Sequence, residues 1–471
     1  MMFAKYKTIF CDSVQALEYA YQNGLPKSAI VKSSAPAMLW DKKININNIE
    51  ARWTTDELEK FQEGVQELTE CVFDSILSIP GVEREIALSV TDAVYRFQKI
   101  IYKAACLDES DFTDPRLFIY VDGETGPSGN IMNSPWDQLL SPNPLFSMVN
   151  YTLKNDNWNQ LTTHGISYWN RYKIAGFETI VYRLAKKIMK RLPSWLFTKE
   201  LIVPNENELN IEIASSLALH GVRITELELD ESFSIVKNKI IEGNIPTLYE
   251  VVQPIMYERI EEWVTPSAVK ITMSLFNSHL QEQLKKFKLL VDKLENNIVK
   301  SHKIKQSVLM NAPGNIRGFA LSYVCRKNGI PIMSSQHGVT VEISKRHSMI
   351  RYEHDNSVAD VMFSYNRKII QVEKNTHFNH AKHYSVGMPL RLMRMKYANT
   401  TDRLALPIVF ISTNLYHMGF SLSANTDYRK ARYEQKLITE VLSKLPHKVR
   451  YKTYPEDNRR YADVDPVLDD V

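Results

Sequence analysis

Short apolar runs alternate with helical patterns along most of this chain, and that alternation limits the fold more than any other feature. KTIFC (7–11) reads as a strand, and Asp12-Ser13 as a helix N-cap pair. Residues 14–22 then carry helical apolar spacing at Val14, Leu17 and Tyr21. Asn23-Gly24 stops that helix, and Ala29, Ile30 and Val31 open the next strand. A β-α-β unit of this kind belongs to parallel sheets covered by helices. The rhythm returns in strand-like runs at 117–121, 201–203, 222–229, 308–310, 329–332, 361–363 and 384–386, with helices expected at 209–220 and 316–327. The fold class expected is α/β with an open sheet.

Three helical blocks interrupt the alternation, at about 54–107, 177–197 and 265–300. In the third, Met273, Phe276, Leu280, Leu284, Phe287, Val291, Leu294 and Ile298 recur at steps of three and four. Such a stripe reads as a helix packed on its own domain, with a dimerising hairpin as the alternative. After a linker at 396–403 a new β-α-β unit starts, with strands at 407–411 and 449–453 around a helix at 433–445. Two strands and one helix bury too little apolar surface to stand alone. The expected layout is therefore an N-terminal domain over 1–395 and, from 404 to 471, the start of a C-terminal domain cut short.

Composition narrows the setting. A formal charge of +4 over 471 residues does not call for nucleic acid as a partner. Cys11, Cys71, Cys106 and Cys325 lie far apart with no metal-ligand spacing, and read as buried thiols of a reducing cytoplasm. MMFAKYKTIFCDS lacks the apolar core of a signal peptide, and no apolar run reaches the roughly 18 residues of a bilayer span. A cytoplasmic chain is expected, with any membrane contact peripheral.

Ligands of open α/β sheets sit at the carboxyl ends of the strands, so the polar residues there are the candidates. The run 329–332 is soon followed by Gln336-His337-Gly338. Glycine admits close approach of a ligand, histidine donates to phosphate or moves a proton, and glutamine offers a neutral donor and acceptor. A lone His-Gly pair would read more plainly as structural. Asp122 and Glu124 follow 117–121 between Gly123 and Gly126, and Glu206 and Glu208 follow 201–203. Those are positions for a general base or nucleophile. The plainer readings are a turn residue for Asp122 and a first-turn helix charge for Glu206 or Glu208. Asn311 ends a fourth strand, Ser412, Thr413 and Asn414 a fifth, and Lys452, Tyr454 and Pro455 close the set.

IRGFALSYVCRKNGIPIMSSQHG (316–338), VGMP (386–389), IVFISTN (408–414) and VRYKTYPED (449–457) together resemble the GT-B glycosyltransferases of bacterial surface polysaccharides, as does CDSVQALEYAYQNGLPKSAIVKSS near the start. The resemblance implies two facing Rossmann-like domains with the active site between them. More narrowly, it is similar to capsule and lipopolysaccharide enzymes that transfer ulosonic acids (Kdo or sialic-acid-like nonulosonates) from CMP conjugates. It implies a CMP-sugar donor, no cofactor, and a glycan or lipid-linked glycan acceptor. Lys452 then faces the nucleotide phosphate, in a KTYP segment where relatives often carry Lys-x-His-Pro; Tyr454 stands in place of that histidine. Asn311, Gln336, Gly338, Ser412, Thr413, Asn414, Lys452, Tyr454 and Pro455 become the donor-binding candidates, and Asp122, Glu124, Glu206, Glu208 and His337 the catalytic ones. A nucleoside monophosphate leaving group requires no metal, and no DxD-like pair follows a strand, so metal-independent transfer is expected. The alternatives are a polyol-phosphate polymer transferase, a sugar-nucleotide epimerase or a non-catalytic partner in glycan assembly.

One segment points elsewhere. Between 182 and 197, Arg183, Lys186, Lys187, Lys190 and Arg191 accompany Leu184, Ile188, Met189, Trp195, Leu196 and Phe197. A basic amphipathic helix with aromatics at one end suits the cytoplasmic face of an anionic inner membrane, whereas the plainer reading is a solvated basic face over the core.

Overall fold

The computed structural model describes residues 2–11, 13–40, 45–121, 139, 143–151, 168–227, 239–298, 304–338, 356–397, 407–412, 420–421, 425–452 and 467. Within them the chain is a mixed α/β protein with two Rossmann-like parallel sheets. The first contains β1 (Thr8–Cys11), β2 (Ile30–Ser33), β3 (Ile46–Asn48), β4 (Arg116–Val121) and β5 (Phe146–Tyr151), in the order β3-β2-β1-β4-β5. Helices α1 (Val14–Gln22) and α2 (Pro36–Trp40) follow its first two strands, and α3 (Thr55–Leu77) and α4 (Arg84–Ala104) separate β3 from β4. The Ser13 hydroxyl accepts from the Ala16 amide and starts α1, as the sequence signalled.

Helix α5 (Tyr168–Met189) leads into the second sheet: β6 (Lys199–Val203), β7 (Arg223–Glu226), β8 (Lys305–Asn311), β9 (Ile332–Ser335), β10 (Val361–Ser364) and β11 (Lys382–Ser385). Their order is β11-β10-β9-β8-β6-β7. Helices α6 (Glu208–Leu219), α7 (Lys239–Trp263), α8 (Pro266–Asn297), α9 (Ile316–Lys327) and α10 (Arg367–Glu373) connect these strands, and α11 (Leu390–Tyr397) follows them. The remainder comprises β12 (Ile408–Ile411), the short β13 (Phe420–Ser421) and β14 (Asn425–Thr426), α12 (Asp427–Glu440) and β15 (Val449–Lys452).

One apolar cluster joins the two sheets. Phe10, Phe118 and Phe146 of the first sheet share it with Ile202, Val308 and Ile332 of the second, and α3, α4, α7 and α8 supply the layer between. The stripe on α8 lies in that layer: Phe276, Leu280, Phe287 and Val291 are fully buried, so the chain itself covers the face a dimer would otherwise need. Burying each such side chain contributes about 1.5–3 kcal/mol.

Several expectations meet a different layout. Residues 1–395 hold both sheets. Past 404, among the described residues β12 pairs in parallel with β15 alone, while Ala431 of α12 and Val467 pack with Ile9, Val31, Leu117 and Ile119 of the first sheet. The segment thus finds its apolar partners on the first sheet's outer face. Helix α7 was not anticipated, because Pro246 and Pro254 lie inside it. The block expected at 177–197 is α-helical to Met189, ahead of Pro193, and then makes one 3-10 turn at Ser194–Leu196. Its start at Phe177 matches a break in α5 at Gly176, where φ is 76°. Cys71, read as buried, is exposed; the other three cysteines are buried. Among the described residues no helix is long and apolar enough to cross a membrane.

Candidate functional site

From β6 the chain turns to β7 on one side, whereas β8 is laid down on the other. That places the second sheet's topological switch point between the carboxyl ends of β6 and β8, where open α/β sheets bind ligands. A cavity of about 760 Å³ lies there. Pro204 and Asn205 after β6, Glu226 and Leu227 at the end of β7, and Met310 to Ala312 at the end of β8 form its floor. Asn315 to Gly318 at the start of α9, with Arg96 of α4 and Gln283 and Lys286 of α8, complete the lining.

The turn from β8 into α9 is tightly specified. Ala312 sits at φ 46°, a left-handed conformation that costs a non-glycine residue energy and tends to persist where surrounding structure enforces it. The Asn315 side chain donates to the Ala312 carbonyl at 2.9 Å and accepts from the Arg317 and Gly318 amides at 3.1 and 3.2 Å. A Cβ at position 318 would lie 1.8 Å from the Pro313 carbonyl oxygen, so only glycine fits. Because the cap engages those two amides, an anion at this helix terminus would be met by the Arg317, Lys286 and Arg96 side chains and the helix dipole. Arg96 is aimed by a shared acid: Asp92, 1% exposed, accepts from its Nε at 2.8 Å and from Gln283 at 2.9 Å.

Polar side chains lock the three neighbouring strand ends together. Asn205 donates to the Asn311 carbonyl at 2.6 Å and accepts from the Asn311 amide at 2.8 Å. Asn207 donates to Ser335 Oγ at 3.1 Å, while its own Oδ1 caps α6 at the Asn210 amide. The Asn311 amide nitrogen donates to the Ser335 carbonyl at 3.1 Å, which leaves its Oδ1 to accept from His337 Nδ1 at 2.8 Å. In the neutral ring the proton is then on Nδ1, and Nε2 carries the lone pair. His337 is exposed and is outside the cavity lining, which it reaches through Asn311. An imidazole so oriented can take or give one proton at Nε2.

The other sequence candidates fall in four groups. Glu206 and Glu208 stand at the expected strand end but outside the cavity lining, in ion pairs with Lys186 at 2.9 Å and Arg391 at 2.7 Å. Gln336 is fully buried; its amide donates to the Gly338 carbonyl and accepts from the Tyr365 amide, tying β9 to β10. Gly338 has no positive φ, and a Cβ there would meet nothing within 4 Å, so the geometric need for glycine lies at 318 instead. Ser412 is buried against Glu434 of α12, and exposed Lys452 ends β15; neither lines the cavity. Asp122, Glu124, Thr413, Asn414, Tyr454 and Pro455 lie outside the described residues.

Sequence reasoning missed Arg96, Lys286, Arg317 and Glu226. Only Arg317 had a readable signal, since it follows an Asn cap at the start of an apolar helix. Glu226 lines the cavity and accepts from Lys186 at 3.0 Å. Burial would lower the Lys186 ammonium, yet hydrogen bonds and charge from Glu206 and Glu226 hold it above the ordinary lysine value. Among the described residues there is no cluster that could hold a metal ion.

No family model matches the chain, and neither a curated protein nor a solved structure matches it.

Proposed function

We propose that the switch-point cavity binds the phosphate of an activated sugar and that the protein is a GT-B glycosyltransferase of bacterial surface-polysaccharide assembly. The observation that carries this reading is the joining of Asn205, Asn311 and His337 beside a cavity lined by Arg317, Lys286 and Arg96. Breaking a sugar–phosphate bond puts negative charge on the departing phosphate, and cations at a helix N-terminus stabilise it. His337 Nε2 accepts the acceptor hydroxyl's proton or returns one to the leaving group. The sharper version is an ulosonic acid carried by CMP. Such a donor carries two negative groups, the phosphodiester and the ulosonate carboxylate, on the side where Arg317 and Lys286 line the cavity. The first sheet would then form the acceptor's side, and transfer would need no metal.

Calorimetric titration of the full chain with CMP, CDP and UDP tests the proposal. CMP is expected to bind most tightly; preference for UDP or CDP replaces the ulosonate donor with another nucleotide sugar. If none of the three binds, the nucleotide reading fails.

A further inference from the structure

Helix α5 has an apolar face that the core does not use. Tyr182 and Ala185 are buried against the second sheet's outer face, and Met189 packs partly against it. On another side, Phe177, Leu184 and Ile188 are 64%, 52% and 54% exposed. Positions 177, 181, 184 and 188 follow steps of four, three and four, so they share one stripe. The stripe runs on past the helix end, where Leu192, Trp195 and Leu196 are exposed, Trp195 by 74%. Arg183, Lys187, Lys190 and Arg191 are exposed as well, and no acidic residue occurs from Thr179 to Lys199.

Lys186 does not belong to this surface. It turns back to Glu206 and Glu226, which separates it from the other four cations. The helix thus has a buried edge, an apolar exposed stripe and a basic flank with no ion pair among the described residues. A solvated basic face would carry polar residues where Leu184 and Ile188 stand.

We infer that the exposed side of α5 and the 192–197 segment form a docking surface for an anionic lipid bilayer. Two observations select this occupant. The charge is of one sign, which suits phosphatidylglycerol-type headgroups and opposes a second copy of the same surface. The apolar side chains are large, include a tryptophan at the end of the stripe, and lie beside the cations as in helices that rest in the membrane interface. The inference is independent of the nucleotide reading, since none of these residues lines the cavity.

The test is sedimentation of the full chain with phosphatidylcholine vesicles, with and without phosphatidylglycerol. Binding is expected only to the anionic vesicles and is expected to weaken with salt. Replacing Arg183, Lys187, Lys190 and Arg191 together by Gln should weaken it on the order of a hundredfold or more. A second variant, Trp195→Ser with Leu196→Ser, should weaken it about tenfold or more, with the unfolding midpoint of both variants unchanged. The inference is overturned if anionic vesicles bring down no protein, or if binding survives the four Gln replacements. A chain that is dimeric in solution and becomes monomeric in the Trp195/Leu196 variant would also overturn it, in favour of a self-association surface.

Discussion

At the carboxyl edge of the first sheet, Lys103 and Glu50 form an ion pair at 2.7 Å with side chains 4% and 2% exposed. Ser34, after β2, accepts a further hydrogen bond from Lys103, and Trp53 donates to the buried Cys106 beside them. At the same edge of the second sheet, neutral amides fasten the strand ends to one another, and Arg317, Lys286 and Arg96 line a cavity instead of filling a core. Both edges are polar, yet their physics differs. A buried pair must be kept whole, because either partner alone is an uncompensated charge in a poor solvent. Cations that line an open cavity can still meet an anionic ligand, even where, like Arg96 on Asp92, an acid of the fold also holds them. Polar residues at strand ends therefore divide into those that close a fold and those that serve a ligand, and only the surroundings tell them apart.

The largest effect expected comes from breaking the closed edge. Glu50→Ala, which leaves the Lys103 ammonium buried, should cost about 3–5 kcal/mol in denaturant unfolding. Adding Lys103→Met should recover most of that loss, and a double variant as unstable as the single would show that the pair is not the cause. In the open edge the expected loss is functional. With an activated-sugar substrate, His337→Gln should lower turnover about 100-fold or more while leaving nucleotide affinity nearly unchanged. A matched loss in both would mean that the imidazole only binds.

Arg317→Ala should weaken nucleotide binding about tenfold or more, as expected for a hydrogen bond to a charged group, and change the unfolding midpoint little. A large stability loss would place Arg317 with the closed-edge pairs. The smallest effect concerns Asp360, which precedes β10 and accepts from the Ile332 amide at 2.8 Å and from Arg326 at 3.2 Å. Burial raises its carboxyl, but His380, the Ile332 amide and Arg326 outweigh that and hold it below the ordinary aspartate value. A carboxyl depressed in the fold contributes stability that is fully present above the unfolded value and is lost as pH falls through the folded one. Asp360→Asn should therefore flatten the decline in stability below about pH 4, measured by thermal unfolding across that range.

Much of the fold was legible because local signals agreed with it. The Asp12-Ser13 cap and the Asn23-Gly24 stop place α1 at its observed ends, and the steps of three and four from Met273 to Ile298 describe the buried face of α8. The two prolines of α7 contradict helix propensity and are overridden by packing of Leu248, Val252 and Met256 in the shared core. The division into two sheets was not legible, since strand order depends on which edges pair, and nothing local distinguishes β5 from β6 in that respect. For the site, strand ends were readable and side-chain direction was not. Asn311 and His337 meet at neighbouring strand ends, whereas Glu206 and Glu208 turn to Lys186 and Arg391. Arg96 and Lys286 come from helices far away in the chain, and no spacing announces them.

Diffraction from crystals soaked with CMP separates the two edges. Phosphate density is expected between Arg317 and Lys286, close to Asn311. Density beside Glu50 and Lys103 at the first sheet, or none at either edge, would contradict that expectation.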